Sequence, residues 1–80
     1  MDILEQNIEN ISDSILKKLI AFNKDFGKNE LVNLATLFQN SAELDDTTTE
    51  EVKQAYAITL DKLDSMKEED ITRLRQELLA

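Results

Sequence analysis

The side chains best able to do chemistry here are carboxylates, gathered at Asp45/Asp46, Glu50/Glu51 and Glu68/Glu69/Asp70. A carboxylate becomes a general acid or base when burial or a charged neighbour shifts its pKa inside a pocket. These three clusters fall instead in a connection and in first helical turns, where they cap and stay solvated. The chain has no His and no Cys, so nucleophile–base pairs and thiolate or imidazole metal sites lack their groups. A di-iron bundle needs Glu-x-x-His and is excluded with them. An EF-hand loop opening at Asp45 would set Glu50 where Gly is required and Tyr56 where a bidentate Glu belongs. With a single Gly (Gly27) there is no glycine-rich phosphate cradle. The expectation is a chain without catalysis, cofactor or metal.

Two Asp-Ser triplets, Asp13-Ser14-Ile15 and Asp64-Ser65-Met66, come near the prosthetic-group site of acyl carrier proteins, to which the chain is similar in size and acidity. The first lies within a long helical period. The second leaves 15 residues after Ser65, too few for the two helices that follow the site in that family. Neither supports a carrier function.

Charge narrows the partners. Nine Lys and Arg stand against 17 Asp and Glu, for a net charge of −8, which disfavours nucleic acid and anionic membranes. The imbalance is uneven, −2 over residues 1–40 and −6 over residues 41–80. The longest apolar run, Leu19-Ile20-Ala21-Phe22, is far short of the roughly 20 residues that cross a bilayer, and the acidic start Met1-Asp2-Ile3-Leu4-Glu5 is not that of a secretory signal. A cytoplasmic protein is expected.

Helices must position whatever site exists. Leu4, Ile8, Ile11, Ile15, Leu19, Phe22 and Phe26 recur at steps of three and four, which predicts a first helix over 2–26 with Gly27 as its left-handed C-terminal cap. Asn29 then caps a second helix over about 30–42. Six of its eight residues from Leu31 to Phe38 are apolar, an arc of roughly 220° where a one-sided surface helix needs little more than 100°. Overlapping capping boxes, Thr47-x-x-Glu50 and Thr48-x-x-Glu51, open a third helix over 49–65. Beyond it the chain either continues as one helix, carrying Lys67 into the apolar line, or breaks near 64–67 and restarts over 68–79. The break is favoured, although Lys67 is a poor N-cap.

The expected architecture is a single all-α domain over 1–80, an antiparallel helical bundle of three long helices, the third broken into a fourth, and dimeric. Its core would hold Leu4, Ile8, Ile11, Ile15, Leu19, Phe22 and Phe26 of the first helix and Leu31, Leu34 and Phe38 of the second. Val52, Tyr56, Leu63, Leu74 and Leu78 complete it. Left over are Leu16, Ile20, Val32, Leu37 and Ile58, a candidate surface for a protein partner or a second copy. In so short a chain without disulfide or metal, association is the usual reinforcement. The function that follows is protein–protein interaction by a small adaptor, inhibitor, assembly or immunity-type protein. The alternative is an acidic antagonist in which Asp45, Asp46, Glu50, Glu51, Glu68, Glu69 and Asp70 imitate nucleic acid or plug a basic groove.

Overall fold

A computed structural model describes residues 3–80. It contains four helices, α1 (Ile3–Phe22), α2 (Lys28–Leu44), α3 (Glu50–Ser65) and α4 (Glu68–Leu79), and no strand among the described residues. Asp2, the expected helix start, and the side chain of Leu4, expected in the core, lie outside the described residues. The four helices form a bundle in which α3 is central: α1 and α2 both pack on it, and α4 lies against α1.

α1 stops at Phe22, four residues earlier than its apolar period suggests. The Asn23 side-chain amide donates to Leu19 O at 2.8 Å, and Phe26 N–H donates to Asn23 O at 3.0 Å, so the chain turns over residues 23–26. Arg75 of α4 closes that end. Its Nε donates to Ile20 O at 3.2 Å, and one terminal nitrogen donates to Asn23 O at 3.2 Å and Phe26 O at 2.8 Å. α1 has no basic residue in its own last turn, so this guanidinium from another helix meets the negative end of its dipole.

Gly27 is therefore not a left-handed cap of α1. With φ −85° and ψ −176° it is the N-cap of α2, and Asn29 falls inside that helix. Gly27 supplies no capping side chain, so Glu30 reaches back and accepts its N–H at 2.8 Å. α4 and the end of α3 brace the same corner, because Glu68 of α4 accepts the Lys28 N–H and the Lys28 amine donates to Asp64 O of α3 at 2.8 Å.

α3 is capped at Thr49, one residue beyond the later of the two expected boxes. Thr49 Oγ1 accepts Val52 N–H at 3.3 Å, leaving Glu50 and Glu51 in the first turn, where they meet the helix dipole. The break falls at Met66 and Lys67, both in extended backbone. Lys67 caps α4 without using its side chain: Asp70 Oδ2 accepts the Lys67 N–H at 3.0 Å. The break keeps Lys67 exposed and drives Ile71 to full burial.

The core holds Leu16, Leu19 and Ile20 of α1, Leu31 and Ala35 of α2, Leu63 of α3 and Ile71 of α4. Ile15, Leu34, Leu74 and Leu78 pack against it half-buried. Ile11, Val52 and Tyr56, also expected inside, are half-buried. Two sequence expectations are reversed. Leu16 and Ile20, set aside as leftover surface, are interior, whereas Phe22, Phe26 and Phe38, expected inside, are exposed. The reason is Ser12. At 100° per residue the buried face of α1 is rotated by roughly 70° from the apolar stripe, with Ser12 near its centre. Ser12 and Thr59 of α3 are both fully buried, and their hydroxyl oxygens lie 3.1 Å apart. Thr59 Oγ1 also lies 2.8 Å from Ala55 O, to which it can donate while accepting from Ser12. Small residues at this crossing, with Ala55 beside them, let α1 and α3 approach closely.

A candidate docking groove between the first two helices

Because α1 and α2 both rest on α3 but barely on each other, a gap opens between them. It forms an apolar groove of about 370 Å³. α1 contributes Ile15, Leu19 and Phe22, α2 contributes Leu34 and Phe38, and Tyr56 of α3 also lines it. Lys18 and Asn23 supply the polar atoms of its edge. Each side chain reaches the groove by helical spacing. Ile15, Leu19 and Phe22 step by four and three along α1, while Leu34 and Phe38 step by four along α2. Phe38 and Tyr56 meet across the wall with ring centroids 6.5 Å apart and planes tilted by 53°. That is a favourable aromatic arrangement.

Phe22 is 80% exposed and Phe38 42% exposed, so the rings stand in solvent around a concave surface. Leu37, 62% exposed, sits on α2 one residue before Phe38, on the outer flank of the same helix. Such a groove suits apolar side chains presented by another helix.

The five residues set aside as partner surface do not come together. Leu16 and Ile20 are covered by their own chain and are corrected to core positions. Val32 is half-buried against the core. Leu37 is exposed on α2, and Ile58 is half-buried in a separate recess of about 360 Å³ between α1 and α3, beside Ile8 and edged by Glu5 and Glu9. The groove residues Ile15, Phe22, Phe38 and Tyr56 were all expected inside instead. The available signal was that α1 is apolar on two sides; what was missing was which side α3 and α4 would cover.

The seven acidic residues do not make one surface either. Asp45, Asp46, Glu50 and Glu51 flank the α2–α3 connection, and Glu68, Glu69 and Asp70 open α4. The 16 residues of α3 hold the two groups roughly 24 Å apart. Three of the seven serve the fold. Glu68 and Asp70 accept backbone N–H groups as described, and Asp45 Oδ1 accepts from the Thr47 hydroxyl at 2.7 Å and the Thr47 N–H at 2.9 Å. These bonds from Thr47, the hydroxyl's foremost, lower the Asp45 pKa below the ordinary aspartate value. Among the described residues, no three carboxylates converge to hold a metal ion, and no helix is long and apolar enough to cross a membrane.

No family model, no curated protein and no solved structure matches this chain.

Proposed function

We propose that this chain is a non-catalytic protein–protein interaction module of the cytoplasm, a small adaptor, inhibitor, assembly or immunity-type protein working through the groove between α1 and α2. The observation that carries the reading is the exposure of Phe22 and Phe38 around a concave apolar surface. Covering a large apolar side chain contributes about 1.5–3 kcal/mol, so a few such residues suffice as an anchor. The groove can receive a helix from a foreign protein or from a second copy of the chain. The antagonist reading has less support, since its carboxylates are divided between the two ends of α3 and three of them hold turns together.

The test compares the wild type with Phe22→Asp, Phe38→Asp and, as a control away from the groove, Leu79→Asp. Proteins captured by the wild type and by Leu79→Asp should be lost with either groove variant, and helicity should persist in all four. Sedimentation velocity on the same set asks whether any self-association uses this face. Identical capture by all four proteins would end the proposal.

A further inference from the structure

The groove does not stop at Phe38 and Tyr56. The same two rings border a second recess of about 230 Å³, which continues past Ser41 and Val52 to Asp45. The two hollows share this aromatic pair, which stands as a saddle between them, and follow α2 from Leu34 to Asp45 as a trough in two parts. Eleven steps of 1.5 Å give a length of roughly 16 Å, about three turns of helix. Its ends differ in charge. Among the described residues, Lys18 is the one charged residue lining the hollow between α1 and α2. Asp45 closes the other end, with Asp46, Glu50 and Glu51 exposed beyond it.

Resting on the docking reading above, we propose that this trough takes a three-turn amphipathic helix of another protein, its Lys/Arg-bearing N-terminal turn at Asp45 and its C-terminal end at Lys18. Three features select that occupant. The length matches apolar anchors at i, i+3 or i+4, and i+7, which place side chains on both sides of the saddle. The polarity matches a helix dipole, whose positive N-terminus meets the Asp45 carboxylate and whose negative C-terminus meets the Lys18 amine. The overall charge disfavours a second copy, since each chain carries −8, with −6 in the half that forms the acidic end.

Tyr56 makes the test direct: it is the only Tyr in a chain without Trp, and it lines both hollows, so its emission reports occupancy. The probes are two lactam-bridged peptides of about 14 residues, free of Tyr and Trp. Both carry Leu at i, i+3, i+4 and i+7. One has Lys in its first turn and Glu in its last, and its twin has these reversed. At about 0.1 M salt the Lys-first peptide should bind about five- to tenfold more tightly, and the ratio should fall toward one near 1 M. Lys18→Glu, and Asp45→Asn (which keeps a side-chain acceptor for the Thr47 turn), should each narrow that preference. Equal binding of the twins, abolished by Phe38→Asp, would overturn the polarity and leave the docking groove standing. Tighter binding by the reversed twin would also overturn it. If neither peptide binds, the groove reading falls as well. A wild-type dimer dissociated by Phe38→Asp would make the occupant a second copy and overturn the foreign helix.

Discussion

Replacing Arg75 tests whether the turn between α1 and α2 is held from outside. Arg75 is half-buried and donates to three carbonyls, those of Ile20, Asn23 and Phe26, at 3.2, 3.2 and 2.8 Å. A hydrogen bond to a charged group contributes about 1.5–3 kcal/mol when well shielded. Water can replace part of each at this half-exposed corner, so Arg75→Gln should cost about 2–3 kcal/mol in all. A chain of this length has about 4–12 kcal/mol to lose. With an unfolding entropy of about 2.1 cal/mol/K per residue, each kcal/mol moves Tm by about 6 °C, giving a drop of about 12–18 °C. Arg75→Lys keeps the charge near the end of α1 but replaces the fork with one compact amine, and should recover no more than about 1 kcal/mol. Urea titration followed by far-UV circular dichroism measures both variants, with an unchanged slope showing that the same surface is exposed on unfolding. Amide exchange over residues 23–31 should quicken in each. A loss under about 0.5 kcal/mol for Arg75→Gln, or wild-type stability in Arg75→Lys, would show that water serves these carbonyls as well as the guanidinium does.

The buried hydroxyl pair should behave as a unit. Thr59→Val should cost about 1–2 kcal/mol because it strands the Ser12 hydroxyl, Ser12→Ala should cost less because Thr59 still donates to Ala55 O, and the double variant should cost clearly less than their sum; strict additivity in urea titrations would show that the two hydroxyls do not depend on each other. Gly27→Ala should change stability by less than about 1 kcal/mol. The φ of −85° suits any residue, and the new Cβ would meet only the ends of the Glu30 and Glu68 side chains, from 3.0 Å; a loss above about 2 kcal/mol in thermal melts would contradict this. Asp45 has a lowered folded-state pKa, so its contribution is present above the unfolded value of about 3.9 and fades as pH falls through the folded value. A carboxyl-carbon NMR titration should therefore place its midpoint below the ordinary aspartate value; a midpoint at or above that value would remove the Thr47 bonds from solution.

What could be read from the chain and what could not divides along physical lines. Helix is a local property, and the three-and-four steps of α1, the Asp45–Thr49 connection and the restart at Glu68 follow from near neighbours. The covered side of each helix is a property of pairs distant in the chain. Ser12 is polar and so argues against burial of its own face; only Thr59, 47 residues away, makes that face tolerable. The same holds for the end of α1. The period runs on to Phe26, and the stop comes from Asn23 nearby and Arg75 from α4, 52 residues from Asn23. Once the buried face is turned by that hydroxyl pair, Leu16 and Ile20 go inside while Ile15 and Phe22 come out to border the groove.

Small residues at the crossings explain why the aromatics lie outside. Ser12, Ala35, Ala55 and Thr59 are all essentially buried, and backbones brought together over such residues leave little room for a phenyl ring. All three Phe are exposed, and Tyr56 is half-buried. This arrangement carries a cost. Phe22, Leu37 and Phe38 retain 80%, 62% and 42% of their exposure, so the isolated chain forgoes on the order of 3–5 kcal/mol of burial. That is a large share of what keeps a domain of this size folded. A helix seated against Phe22 and Phe38 would recover part of that sum, against the entropy lost on association. The packing that excludes these rings from the core also leaves the groove between α1 and α2. The exposed aromatics and the cavity they border are therefore one consequence of the same close crossing, and it is this coincidence that makes docking the reading best supported by the fold.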